Sequence, residues 1–311
     1  MNRRTNLAVI AVWVAYIPFS LEKPYDTLPA LNQLSLPLRI SLTKMITLSA
    51  NLIALLIYLV AAIYFGSRFI RQQALQPKHL LSATGLALIA HGLGVYGLSI
   101  RGEGFNISLF SASSLIFWVI NVIVLFSSLK KALHNLFLLL FPLSALSILA
   151  SITGHTSEMH QSLNFNIATH VVLSVLAYSL LTIASLQALL LAYQNHALKN
   201  KQLTTSSRLL PPLQTMEALL FEFLWVGEIL LTLAIASGFY FLEDMFAQHL
   251  VHKTVFALIA WFIYALLLWG RHQLGWRGNK AIRWTLAGFV CLMLAYFGTK
   301  LVLEIILNRA Y

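Results

Sequence analysis

Long apolar runs separated by short polar stretches dominate the chain. Eight runs each hold the roughly 20 mostly apolar residues that a helix needs to cross a bilayer: Met45–Gly66, Leu80–Ile100, Ile107–Leu129, Leu133–Ile152, Asn166–Gln194, Ala218–Leu242, His252–Gly270 and Ala281–Leu303. Thr5–Leu21 is a weaker ninth candidate. Backbone polar groups at membrane depth must be paired internally, which favours helices over strands. The pattern therefore predicts an all-α, polytopic membrane helix bundle with eight core transmembrane helices and a candidate N-terminal ninth.

The composition agrees with a chain solvated mainly by lipid. Of 311 residues, 59% are apolar and 10% are charged, and the mean hydropathy is +0.78. A soluble domain averages about 25% charged residues. The net charge of +11 suggests nucleic acid at first sight, but the basic residues form short clusters between apolar runs, so we expect no nucleic-acid partner. The single cysteine, Cys291, excludes a disulfide framework and a Cys-based zinc site.

Basic residues alternate between the two sides of the predicted bundle. Cytoplasmic loops of membrane proteins carry an excess of Lys and Arg. One set of connections holds twelve, against four on the other set (Arg101, Lys253, Lys300 and Arg309). The twelve are Arg68, Arg71, Lys78, Lys130, Lys131, Lys199, Lys201, Arg208, Arg271, Arg277, Lys280 and Arg283. We therefore expect the first set to be cytoplasmic. The outward loops Gly154–Phe165 and Leu242–Lys253 then collect histidines and acidic residues.

The first 44 residues are ambiguous, and we divide the chain into an N-terminal extension, 1–44, and a core domain, 45–311. Arg3 and Arg4 precede a long uncharged run, which is typical of a signal anchor. The alternative is that translation begins at Met45. Because the eight core segments already alternate correctly, we expect 45–311 to insert and to be stable alone.

Ionisable residues inside a membrane span are costly and mark candidate functional positions. Six lie inside or at the ends of the predicted spans: His91, His170, Glu222, Glu228, Lys300 and Glu304. Lys300 and Glu304 can pair on one helix face, and Glu222 is close enough to the inner interface to be solvated. Glu228 lies deeper, either in a packing or hydrogen-bonding role or in a proton or ligand role.

Three histidines, His91, His170 and His252, each have two alternative interpretations. His91 is followed by Gly92, Gly94 and Gly97, which let another helix or a flat ligand come close. The simpler interpretation of His91 and of His170 is that each forms a hydrogen bond to a facing helix. The simpler interpretation of His252 is that its side chain lies at the membrane interface. A histidine imidazole is also a good axial ligand of haem iron. The chain contains no phosphate-binding glycine motif and no nucleophile elbow, which disfavours a nucleotide-driven pump or a soluble-type hydrolase.

Three stretches resemble a known family. They read THVVLSVLAYSLLTIASLQALLLAYQNHALKNKQL, PPLQTMEALLFEF and AWFIYALLLWGRHQLGWRGNKAIRWTLAGFVCLMLAYFGTKLV. These stretches resemble the YpjD-type inner-membrane proteins, which belong to a wider cytochrome c assembly group with CcsA, CcmC and CcmF. The likeness is clear from His170 to Val302, weaker from Met45 to Ile152, and absent from 1–44.

The resemblance implies a bacterial inner-membrane protein that handles haem at the outer face without being an enzyme. Members of the group use histidine ligands and a tryptophan-rich outer loop, and His170 matches the position of one outer ligand. The chain departs from the group in its outer loop, Glu243–His252, which has no tryptophan. It has Trp269 and the tripeptide Thr299–Leu301 where the group has histidines.

Three hypotheses follow. The first is a haem-handling assembly factor that binds haem non-covalently through His170, with His252 or His91 as the second ligand, and that meets other cytochrome c maturation proteins. It would hold no metal beyond the haem iron. The second is a non-haem scaffold or regulatory protein that kept the fold. The third is a channel or carrier that uses Glu228 and His91.

Overall fold

Helices form nearly all of the structure. The computed structural model describes residues 36–71, 73, 76–101, 104–106, 108–154, 160–161, 165–200, 210–241 and 251–298. Within these residues, eight helices are long and apolar enough to cross a membrane. These spans lie on α1 Leu36–Ile70, α2 Pro77–Ser99, α3 Leu109–Ser128, α4 Phe137–Thr153, α5 Phe165–Lys199, α6 Leu213–Phe241, α7 Val251–Leu274 and α8 Asn279–Met293. Helices α4 and α8 reach the required length together with the short turns that adjoin them. The predicted all-α membrane bundle with eight core spans is confirmed.

Short elements extend two of these helices and link two loops. A 3-10 turn, His134–Leu136, precedes α4, and a π-helical turn, Leu294–Gly298, continues α8. Three short strands, β1 Ile100–Arg101, β2 Gly104–Asn106 and β3 His160–Gln161, form an antiparallel sheet in that order. The sheet joins the α2–α3 connection to the α4–α5 connection, so these two predicted outer loops lie at one end of the bundle.

Helix α1 extends to the N-terminal side of the predicted boundary between 1–44 and 45–311. Helix α1 begins at Leu36 and runs without interruption through Lys44 and Met45, so the predicted boundary falls inside a continuous helix. Apolar residues such as Ile46 and Leu42 extend the hydrophobic run toward the N-terminus of this helix. The candidate span Thr5–Leu21 lies outside the described residues, and the stability of 45–311 alone stays a prediction.

The helices pack as two groups of four. In the N-terminal group, α1 packs on α2, α2 on α3, α3 on α4, and α4 returns to α1. In the C-terminal group, α5 packs on α6, α6 on α7, α7 on α8, and α8 returns to α5. Contact between α3 and α5 joins the groups, and one hydrophobic core runs through both. Large apolar side chains such as Ile63 and Ile89 stay exposed on the outer faces, which suits contact with lipid tails.

Polar contacts gather three of the predicted cytoplasmic connections at the end opposite the small sheet, which we call the basic end. Lys131, after α3, forms an ion pair with Glu222 of α6. Arg271, near the end of α7, pairs with Glu217 in the first turns of α6, with 2.6 Å between Nη1 and Oε1. At the same end, Asn195 of α5 donates a hydrogen bond to Asn279 of α8. Which end faces the cytoplasm stays a prediction from the charge pattern.

Two glycines and several hydrogen bonds fix the conformation of the α7–α8 connection. Gly275 and Gly278 have φ angles of 62° and 58°, a region that glycine enters without steric cost. Arg271 donates a hydrogen bond to the Trp276 carbonyl oxygen at 3.1 Å, and the Gly278 amide donates to Glu217 Oε2 at 3.1 Å. The Gly-Trp-Arg-Gly segment at 275–278 therefore has a structural role at this position.

Candidate functional site

His170 lies near the end of the bundle opposite the basic end. It is the sixth residue of α5, roughly 7.5 Å along the axis from the first. Its Nδ1 atom is 3.0 Å from the carbonyl oxygen of Ala234 and 3.0 Å from Ser237 Oγ, both on α6. The Ser237 hydroxyl also donates to that carbonyl, at 2.8 Å. Helix α6 thus holds the imidazole from one side.

These contacts decide which ring nitrogen carries the proton. A carbonyl oxygen can only accept a hydrogen bond, so Nδ1 must carry the hydrogen in the neutral ring. The lone pair then resides on Nε2, which has no hydrogen-bond partner among the residues that the structure describes. Metal-binding histidines are oriented in this way, with one nitrogen donating to a carbonyl and the other presented to the metal. The residues present therefore fit an axial histidine ligand.

His252 reaches the same end of the bundle. It is the second residue of α7, and α7 runs antiparallel to α6 because Trp261 contacts Thr232 while Arg271 contacts Glu217. The start of α7 is therefore level with the end of α6 that holds Ser237. His252 as a second ligand stays a prediction.

His91 is in a different situation. It is fully buried, at 0% exposure. Its Nδ1 atom lies 3.4 Å from the Tyr58 hydroxyl on α1, and its Nε2 atom lies 3.0 Å from Ser114 Oγ on α3. The simpler of the two interpretations, a histidine bonded to facing helices, describes this arrangement. His91 as a haem ligand stays a prediction, and an engaged Nε2 does not favour it.

Helices fill the space beside the glycines that follow His91. A Cβ atom at Gly92 would lie 2.9 Å from Nε1 of Trp118 on α3, and one at Gly94 or Gly97 would overlap Asn51 or Thr47 of α1. Trp118 also crosses back to α2, where its Nε1 donates to the Leu88 carbonyl at 3.0 Å. The glycine pattern allowed either another helix or a flat ligand to come close to α2, and the structure contains helices there.

The three glutamates of α6 lie at different depths along the helix. Glu217 and Glu222 lie in its first turns, where each pairs with a cation of the basic end. Sequence reasoning missed both pairs, although two acids at the start of a span, facing loops rich in Lys and Arg, were a usable signal. Glu228 is buried farther along the helix, and both of its carboxyl oxygens lack a hydrogen-bond partner. Lys300 and Glu304 lie outside the described residues.

Aromatic residues brace α5 against the end of α8. The Tyr178 hydroxyl of α5 donates to the Leu292 carbonyl of α8. The rings of Tyr296 and Phe297, in the π-helical turn, lie 5.8 Å and 6.2 Å from the Tyr178 ring. Tyr296 and Phe297 therefore pack on the helix that carries His170. Nothing in the sequence pattern pointed to the π-helical turn, since its apolar residues continue the preceding helix.

Comparison with known proteins identifies relatives along most of the chain. The profile of the family described as "Cytochrome C assembly protein" matches residues 81–307. The chain is 29% identical to inner membrane protein YpjD of Escherichia coli K12 over 258 residues, which cover 82% of this chain and 98% of YpjD. No solved structure matches the chain significantly.

Shorter matches connect the chain to CcsA, named a cytochrome c biogenesis protein. This chain is 30% identical to CcsA of Prochlorococcus marinus MIT 9303 over 105 residues, which cover a third of each protein. It is 26% identical to CcsA of Chlamydomonas reinhardtii over 137 residues, covering 43% of this chain and 38% of CcsA. With its eight spans and its similarity to an inner membrane protein, the chain is a multi-pass protein of the bacterial inner membrane.

Proposed function

Because the chain belongs to the cytochrome c assembly protein family, we propose that it binds haem through His170 at the outer face of the membrane. Haem bound there would supply an iron centre that accepts an axial nitrogen ligand. We propose a role in presenting or relaying haem during cytochrome c maturation, without catalysis of its attachment. Other maturation proteins would be its partners.

One observation carries this proposal: the His170 ring is anchored through Nδ1, and Nε2 has no hydrogen-bond partner among the described residues. Anchoring fixes both the tautomer and the ring orientation, which raises the basicity of the free nitrogen and lowers the entropy lost on ligation. Its depth of about 7.5 Å from the helix start suits a flat, mostly apolar macrocycle whose carboxylates reach water. Haem binding through a neutral imidazole should weaken in acid, because protonation removes the lone pair.

The absence of tryptophan from 243–252 argues for a limited role. The family resemblance implies that a tryptophan-rich outer loop presents haem to its acceptor, and this chain lacks that platform. Holding or passing on haem requires only an axial ligand for the iron and an apolar surface for the macrocycle. Residues of α5 and α6 can supply both. The alternative is a non-haem scaffold that kept the fold, and the absorption spectrum separates the two.

The test is the visible spectrum of protein expressed with ample haem and purified in detergent, both oxidised and reduced. Wild-type protein should show a Soret band, and His170→Ala should lose most of it. His272→Ala is the matched control, because His272 lies near the end of α7 at the basic end and is exposed. It should keep the wild-type spectrum.

Chemical rescue distinguishes ligation from folding. In His170→Gly, free imidazole added to the purified protein should restore the Soret band, because it can occupy the place of the missing ring. His252→Ala should change the band shape without abolishing the band if His252 is the second ligand. A wild-type protein without any Soret band would exclude haem binding, and the scaffold hypothesis would replace it.

A further inference from the structure

Glu228 lies in the middle of α6, far from either end of the bundle. It is about 22 Å along the axis from Leu213 and about 20 Å from Phe241. The side chain is 7% exposed, and both carboxyl oxygens are buried without a hydrogen-bond partner. The salt bridges that α6 makes in the described part of the chain belong to Glu217 and Glu222. Glu228 therefore has no countercharge there.

Tyr264 of α7 is a second fully buried polar group. It is 0% exposed, and its hydroxyl makes no hydrogen bond of normal geometry. The register of the two helices places it level with Glu228. Trp261 donates a hydrogen bond to Thr232 at 2.9 Å, and in this antiparallel pair Tyr264 follows Trp261 by three residues while Glu228 precedes Thr232 by four. The Tyr264 hydroxyl is accordingly within electrostatic range of Glu228.

The other helices of the C-terminal group enclose this position. The Tyr264 hydroxyl lies beside Ser185 of α5, whose own hydroxyl donates to the Leu181 carbonyl at 2.8 Å and can still accept. A Cβ atom at Gly227 would lie 2.8 Å from Leu181, so α5 and α6 approach closely here. A Cβ atom at Gly288 of α8 would lie 2.8 Å from the Tyr264 ring.

The chemistry of these groups restricts what they can hold. An ionised carboxylate without a countercharge is very costly in an apolar interior, whereas the neutral acid is tolerated if its donor and acceptor are satisfied. Of the other titratable groups, Tyr178 and Cys291 lie near Tyr264, and neither supplies a positive charge. No described group of three or more His, Cys, Asp or Glu side chains is arranged to hold a metal ion. A water molecule can both donate and accept hydrogen bonds, so it can satisfy the carboxyl and hydroxyl groups that have no other partner.

We propose that Glu228, Tyr264 and Ser185 form a water-binding site inside the C-terminal group, in which the neutral carboxyl group donates a hydrogen bond to a water that bridges it to the Tyr264 hydroxyl. The site makes Glu228 a proton-carrying group in the membrane interior. It needs neither haem nor His170, so its test is independent of the function proposed above.

Infrared difference spectroscopy of the detergent-purified full chain at neutral pH tests the site. Wild-type protein should show a C=O stretching band of a protonated carboxyl group that moves to lower frequency in D₂O. Glu228→Gln should lose that band. Glu222→Gln, the same substitution on the same helix, should keep it, because Glu222 forms an ion pair with Lys131.

The water is tested by Tyr264→Phe, which removes one partner and keeps the ring. A weakly hydrogen-bonded O–H stretch that shifts in heavy-oxygen water should be present in the wild type and lost in this variant, and the carboxyl band should shift. Retention of the whole carboxyl band in Glu228→Gln would overturn the proposal. So would a Tyr264→Phe variant that leaves both bands unchanged, or a wild-type protein without a D₂O-sensitive carboxyl band.

Discussion

His91 and His170 are both histidines inside membrane helices, yet the two helix groups use them differently. In the N-terminal group, His91 is fully buried and both ring nitrogens contact hydroxyl groups, on α1 and on α3. In the C-terminal group, His170 is half-buried, and within the described part of the chain Nδ1 is the ring nitrogen that has hydrogen-bond partners. A histidine with two partners joins helices, whereas one with a single anchored nitrogen presents its lone pair. The number of engaged nitrogens, and not membrane depth alone, separates the packing role of His91 from the ligand role that we propose for His170.

The surroundings of the two residues follow the same division. Beside His91, Trp118 and side chains of α1 occupy the space next to each neighbouring glycine. In the C-terminal group, the Glu228 carboxyl is buried along α6 without a hydrogen-bond partner among the described residues. The N-terminal group therefore packs closely around its histidine, while the C-terminal group buries a carboxyl group that forms no salt bridge among the described residues.

Removing His91 should have the largest effect on stability. His91→Ala leaves a cavity and deprives Tyr58 and Ser114 of a shared partner, so we expect a loss of about 3 kcal/mol in the free energy of unfolding. Denaturant unfolding in detergent measures it, with His272→Ala as the exposed control. Haem bound per folded molecule should not change. Loss of haem from an otherwise stable His91→Ala protein would contradict the distinction drawn above.

Closing the space beside a glycine should have the next largest effect. A Cβ atom at Gly97 meets Thr47 Cβ and Cγ2 at 2.9 Å, so Gly97→Ala should force α1 and α2 apart at a cost of about 2 kcal/mol. Gly85→Ala is the matched control on the same helix, because nothing lies within 4 Å of its Cβ position. The thermal midpoints of the two variants check this. Equal midpoints would show that the contact between α1 and α2 adapts freely.

The hydroxyl partners of the two histidines offer the finest comparison. Ser237→Ala removes one acceptor from His170 Nδ1 and leaves the Ala234 carbonyl, so we expect haem affinity to fall about 10-fold. Ser114→Ala removes the partner of His91 Nε2 and should leave haem affinity unchanged. Haem titration of both apoproteins measures the difference. If both variants lose the same affinity, the two regions are coupled.

The sequence by itself predicted the eight spans and the loops that share an end of the bundle. Span length and loop charge are local properties, since about 20 apolar residues suffice for a crossing and each Lys or Arg acts near its own helix end. His170 was identified as a candidate ligand through resemblance to a family. The start of α1 at Leu36 was missed because Pro37, Arg39 and Lys44 interrupt the apolar run, although a helix tolerates them near its N-terminus.

The tertiary structure alone decided what each polar residue does. The partners of His91 are 33 and 23 residues away in sequence, and those of His170 are 64 and 67 residues away. Helix rotation and register bring such residues together, and hydropathy cannot report either one because it averages over all faces of a helix. The same holds for Glu228, whose isolation from Lys131 and Arg271 follows from its position along α6. Short-range pattern sets which segments enter the membrane, whereas long-range packing determines which of their polar atoms are left to bind a ligand.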